Sequence, residues 1–209
     1  MRKPAAERKV DIVATAIDLA DKVGPDRITT EMIASQIGVT QATVFRHFPR
    51  KEDIWHAVAV ELTARMRAAW AGKDGESDDP VARLEAAIVG QFKLIRQMPA
   101  LPAILLSREL HAGNMPLRMA LMQTMRAFQQ RLTALVEQAI AAGRFRHDLN
   151  AGDAALLLIG LVQSVALRWT LGGRSEDLVA TGRRLLAVQI SGFTAGGNES
   201  EPVSSGAVR

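Results

Sequence analysis

The residues best placed to do chemistry are Gln41, Ala42, Thr43, Arg46 and His47, a group bracketed by the apolar Val44 and Phe48. If Gln41 to Phe48 is a short helix anchored by those two apolar side chains, the five share its outward face. An amide, a hydroxyl, a guanidinium and an imidazole beside one small residue supply the mixed donors and acceptors that reading base edges in a DNA major groove requires. Catalytic chemistry finds much less support. The chain of 209 residues has no Cys, which excludes a thiol nucleophile, a disulfide framework, a thiolate zinc site and an iron–sulfur cluster. Its four histidines, His47, His56, His111 and His147, are scattered. Asp53-Ile-Trp-His56 is a single carboxylate-x-x-His unit, whereas a carboxylate-bridged metal pair in a helical bundle needs two Glu-x-x-His repeats. Gly-x-Ser-x-Gly, His-Glu-x-x-His, the phosphate loop and the dinucleotide fingerprint are all missing. Glu52, Asp53, Glu109, Asp148 and Asp153 suit helix starts, where the dipole favours an acid. The expectation is binding without catalysis, metal or cofactor.

The elements around that face are those of a helix-turn-helix. A short helix after Thr29-Thr30 packs Ile33 and Ile37 inward, with Ala34 small where the next helix crosses. Gly38 makes the turn, Val39 plugs the core, and the Thr40 hydroxyl caps the helix that follows. A first helix from about Ala6 to Val23 carries Val10, Val13, Ala14, Ile17 and Ala20 or Asp21 at helical spacing and stops at Gly24-Pro25. A fourth runs from Lys51 to Trp70, with Trp55 expected between domains and His56 on the surface. Arg2, Lys3, Arg8, Lys9, Arg46, Arg50 and Lys51 gather at the start and around the outward face, while Asp11, Asp18, Asp21 and Asp26 lie between, a segregation suited to phosphate contact. Net charge is only +4, so placement carries more information than the sum.

Apolar residues keep a helical period almost throughout, and hairpin turn signals are lacking, so the fold class is all-α with about nine helices. Beyond the polar segment from Ala71 to Pro80, Val81, Leu84, Ile88, Gln91, Ile95 and Met98 stripe a fifth helix. A sixth is expected from Pro102 to His111, and a seventh up to Ala142 with Leu121, Met125, Phe128, Leu132, Leu135 and Ala139 on one face. The eighth, Ala151 to Leu171, is apolar on most of its circumference, which implies cover on two sides and leaves one of them open to a partner subunit. The ninth, Ser175 to Phe193, places Gly182 for a close helix approach. The domains expected are 1–52 as helix-turn-helix unit, 53–194 as helical bundle and 195–209 as a disordered Gly/Ser-rich tail. The most apolar stretch, Ala154 to Val162, falls short of a membrane span before Gln163, Ser164 and Arg168, and the opening residues lack a secretory pattern, so a cytoplasmic protein is expected.

The run from Arg8-Lys9-Val10 through Thr29-Thr30-Glu31-Met32-Ile33-Ala34 and Gly38-Val39-Thr40 to Thr43-Val44-Phe45-Arg46-His47-Phe48-Pro49-Arg50-Lys51-Glu52-Asp53-Ile54 resembles the amino-terminal domain of TetR/AcrR-type transcriptional regulators. The resemblance covers the first quarter by motif and the rest by helix order. It implies a homodimeric repressor on double-stranded DNA, with recognition helices in successive major grooves of a two-fold symmetric operator. It also implies a carboxy-terminal domain that dimerises through the eighth and ninth helices and binds a small effector. By resemblance Thr30 and Lys51 touch phosphates, and the DNA-contacting set becomes Thr30, Thr40, Gln41, Ala42, Thr43, Phe45, Arg46, His47 and Lys51. Phe45 stands where the family usually has Tyr, which removes a hydroxyl, and Arg50 stands where Ser is usual, which weakens the cap of the fourth helix.

A largely apolar effector is expected to meet Phe92, Met98, His111, Met122, Met125, Phe128, Gln163 and Trp169, the methionines supplying adaptable walls. Met115, Met119, Arg118 and Arg168 are further members of this region, and ordinary core or surface is the competing role for each. The alternative for the whole chain is a helical dimeric protein-interaction or adaptor module without specific DNA binding. Sequence-specific binding discriminates the two.

Overall fold

The computed structural model describes residues 4–71 and 77–194; the expected tail at 195–209 and the basic Arg2 and Lys3 lie outside the described residues. Within them the chain is all-α: α1 (Ala5–Val23), α2 (Thr30–Gln36), α3 (Gln41–His47), α4 (Lys51–Ala71), α5 (Pro80–Gln97), α6 (Ala100–Leu106), α7 (Arg108–Gly113), α8 (Met115–Ala141), α9 (Ala151–Leu171) and α10 (Leu178–Ser191). A single 3-10 turn, Pro25–Arg27, follows α1.

The first helix stops where the glycine predicts. Gly24 takes φ +88°, and its N–H reaches the Ala20 carbonyl. Of the expected stripe, Ile17 and Ala20 are buried and Val13 packs against the core, whereas Val10 is 68% exposed and Ala14 is open, and Ile12, Ala16 and Leu19 complete the buried face. The helix has apolar residues to spare at helical spacing, and its neighbours α2, α3, α4 and α6 decide which of them face inward.

The expected sixth helix is two. Ser107 breaks it with extended backbone, accepts the Leu110 N–H at 3.0 Å to cap α7, and donates its hydroxyl hydrogen to the Asp26 carboxylate after α1. Apolar period is blind to such a break, because a capping Ser costs the pattern only one position. Asn114 acts similarly, accepting the Leu117 N–H at 3.0 Å while its amide donates to the Glu52 carbonyl at 3.1 Å.

The bundle is built around α5, which packs on α4, α8, α9 and α10. The Trp70 ring stacks on Phe128 with centroids 4.6 Å apart, and its indole N–H donates to Gln91 at 2.8 Å, so a buried amide is satisfied. Two glycines allow close approach. A Cβ at Gly90 would lie 2.4 Å from the Ala69 carbonyl oxygen of α4, and one at Gly182 would lie 2.5 Å from the Phe92 ring. The close approach expected at Gly182 is therefore made with α5 of the same chain.

The helix α9 corrects a second expectation. By length and composition its 21 residues are apolar enough to cross a membrane, because Gln163, Ser164 and Arg168 are too few to dilute the leucines. It packs on α5, α6, α8 and α10 and leaves Leu157 at 53% and Leu171 at 78% exposure, with Val188 of α10 at 66%.

Candidate DNA interface and effector cavity

At the amino-terminal end, local chemistry builds the face. Thr29 caps α2 by accepting the Met32 N–H at 3.1 Å. Gly38 takes φ +67°, a left-handed conformation that glycine adopts without strain, and the next N–H, of Val39, returns to the Ala34 carbonyl at 2.9 Å. Thr40 then caps α3 by accepting the Thr43 N–H at 3.3 Å. Val44 and Phe48 are buried, and Lys9 of α1 sits 5.6 Å from the Phe48 ring centroid.

On the outer side of α3, Gln41, Ala42, Phe45 and Arg46 are exposed and Thr43 and His47 are half-buried. These six share one short helix. Thr30 is placed differently, buried at 7% exposure with its hydroxyl accepting the Gln41 amide at 2.8 Å. That bond fixes the Gln41 side chain against α2. Lys51 is half-buried at the start of α4 and lines a cleft with Asp26, Trp55 and Glu109, between the two domains.

The start of α4 is not left uncapped by Arg50. Asp53 accepts the Arg50 backbone N–H at 3.0 Å and one of its guanidinium nitrogens at 2.9 Å. The hydrogen bond from Arg50 holds the Asp53 carboxyl below the usual carboxylate range. A residue three positions into the helix thus supplies the reciprocal half of a capping box, satisfying the Arg50 N–H, while the half that a Ser side chain would supply by accepting a first-turn N–H is not made by a guanidinium.

Between α5, α6, α8 and α9 lies an apolar chamber of about 170 Å³, open to the surface beside the exposed Leu106, Gln163 and Leu167. Its walls include Ile95, Leu101, Leu106, Phe128, Val162 and Ala166. Beside it opens a basin of about 640 Å³, which shares Leu105, Met125 and Ile159 with it. Among the expected effector residues, Met125, Phe128 and Gln163 line the chamber, and His111, Met122 and Met125 line the basin. The other three lie elsewhere. Phe92 is fully buried against Gly182, Met98 lines a groove by α4 and α5, and Trp169 donates its N–H to the Glu176 carbonyl at 3.0 Å. Leu105, Ile159 and Val162 were not expected at the cavity, because an apolar residue facing a cavity has the same helical spacing as one facing core.

The two regions are joined by contact. One side of α6 walls the chamber and another packs on α1. Arg174, with φ +61° in the loop after α9, stacks over Trp169 at 5.6 Å and pairs with Asp21 of α1, its second nitrogen at 2.9 Å.

A helix-turn-helix head joined by one long helix to a helical bundle is the architecture of a DNA-binding regulator. Residues 12–58 match the family model "Bacterial regulatory proteins, tetR family", and residues 77–181 match "Tetracyclin repressor-like, C-terminal domain". The chain belongs to the TetR family of DNA-binding transcriptional regulators. It is similar to the fatty acid metabolism regulator protein of Bacillus subtilis, at 23% identity over 91% of this chain and 98% of the relative. The fold matches that of FadR from Bacillus subtilis in complex with stearoyl-CoA, with a TM-score of 0.74, 21% identity and coverage of 88% and 98%. It also matches the ketosteroid transcriptional regulator KstR2 of Mycobacterium tuberculosis, with a TM-score of 0.77, 18% identity and coverage of 90% and 96%.

Proposed function

We propose that the protein acts by binding alone, in the cytoplasm, as a homodimeric repressor that leaves its operator when a small, largely apolar molecule fills the chamber. The observation that carries this reading is the position of α6, which walls the chamber and packs on α1 of the DNA-binding head. A ligand that widens the chamber displaces α6, and α1 carries the displacement to α3. Two rigid heads must meet half-sites about 34–36 Å apart, so a shift of a few ångströms removes one set of contacts. The exposed Leu157, Leu171 and Val188 on α9 and α10 supply the self-complementary seam that a two-fold dimer needs. A relative described as a fatty acid metabolism regulator, and a fold neighbour holding stearoyl-CoA, support an apolar effector.

The test is to mix the full chain with sheared DNA of its own genome near physiological salt, where non-specific binding is weak, and to sequence what it retains. Enrichment of a two-fold symmetric site is expected. No enrichment from a folded dimer, with and without cell extract of small molecules, would instead favour an interaction module.

A further inference from the structure

The chamber and the basin differ sharply in chemistry. No charged residue lines the chamber, whose polar groups are Gln91, Gln163 and Thr170, and Gln91 is already bonded to Trp70. The basin is ringed by Arg108 of α7 and by Arg118 and Arg126 of α8, and no acid is among its lining residues. Arg118, Met122 and Arg126 stand four residues apart on one face of α8, so both guanidiniums flank the same apolar floor. None of the three arginines has an ion-pair partner among the described residues. His111 adds a polar wall: its Nε2 lies 3.0 Å from the Leu105 carbonyl, which can only accept, so Nε2 carries the hydrogen. Its Nδ1 is buried without a hydrogen-bond partner.

Size sets the next constraint. At about 170 Å³ the chamber is near the ~150 Å³ of an apolar cavity that takes a benzene-sized guest. A larger ligand extends beyond it, and the route that stays on apolar walls runs into the basin past the flexible thioether of Met125 and the shared Leu105 and Ile159. There it meets three guanidiniums in a concavity, which concentrates positive potential and offers forked donors to a carboxylate or phosphate. All three arginines are exposed, so a neutral ligand leaves them solvated, whereas an anion gains their charge-assisted contacts.

Resting on the chamber as the effector site, we infer that the effector is an amphipathic anion, with its apolar part in the chamber and its anionic group among Arg108, Arg118 and Arg126. The shared chemistry has two sources, a free long-chain carboxylate and a phosphate-bearing acyl thioester.

Calorimetric titration of the protein with decanoate, decanoyl-CoA, coenzyme A and decanol separates them. Decanoate or decanoyl-CoA is expected to bind at least about tenfold more tightly than decanol. Tight decanoate identifies the carboxylate as sufficient, whereas tight decanoyl-CoA with weak decanoate and weak coenzyme A identifies the thioester. The double variant Arg118→Gln/Arg126→Gln is expected to lose about tenfold or more for the anion and to keep its affinity for decanol. Ala166→Phe, which fills the chamber, is expected to weaken all chain-bearing probes, and thermal unfolding checks that both variants fold. Equal binding of decanol and the anions, unchanged anion binding by the arginine variant, or binding of none of the four overturns the inference. Chain-bearing probes that bind Ala166→Phe as they bind the parent would instead remove the chamber as effector site. Retention of genomic DNA, measured separately, reports on the regulator itself.

Discussion

In the proposed DNA contact two side chains divide the labour. Arg46 is exposed on the outer face of α3, where a forked guanidinium can meet a base edge, while Lys51 stands at the start of α4, from which its long stem can reach a phosphate. Arg46→Ala is expected to cost about 1–3 kcal/mol on the preferred site and to relax the preference, and Lys51→Ala to weaken all duplexes alike. Anisotropy titrations on the preferred and a shuffled duplex measure both. Equal losses on the two duplexes for Arg46→Ala would remove it from the groove. Asp53 carries a pH signature. Since Arg50 holds its carboxyl below the ordinary value of about 4, its contribution to stability is complete above that pH and is lost as pH falls through the lower folded value. Urea midpoints followed from neutral to acid pH are expected to fall more steeply for the parent than for Asp53→Asn; parallel curves would show that the pair contributes nothing.

At the scale of elements, helix approach is set by missing side chains. The Cβ of Gly90→Ala would meet a backbone carbonyl at 2.4 Å, and backbone cannot rotate aside, so α4 and α5 must separate. A loss of about 2 kcal/mol or more is expected from urea unfolding. A stability equal to the parent would mean that the helices have room to spare. Gly182 was legible in the sequence as a small residue within an apolar face, while Gly90 was not, since nothing near it in the chain reports the position of Ala69. The turn at Gly38 and the caps at Thr29 and Thr40 were readable for the opposite reason: their partners lie within five residues. The break at Ser107 has a partner as near, Leu110, but the apolar spacing runs across it, and the Arg50 N–H at the start of α4 is met from Asp53 inside the helix rather than at the cap position.

For the whole molecule, the DNA face and the cavity matter together only if two copies hold their α3 helices at one spacing. The buried face of α10, with Leu178, Gly182 and Leu186, is spent on its own α5 and α9, so the proposed seam is left to outward residues such as Leu157, Leu171 and Val188. A two-fold seam places Leu157→Glu in both copies, and at about 2 kcal/mol each the dimer is expected to weaken about a thousandfold. Sedimentation velocity shows this directly, and an unchanged dimer would place the interface elsewhere. The arrangement of helices was largely legible from period and punctuation, whereas the division of apolar residues among core, cavity and seam was not, because burial in each looks alike along the chain. The most direct measurement is the ratio of affinities of the parent protein for the genomic site it retains and for a shuffled duplex of equal length, near physiological salt. A sequence-reading dimer predicts a ratio of about a thousand or more; a ratio near one, from protein shown to be folded and dimeric, would contradict it.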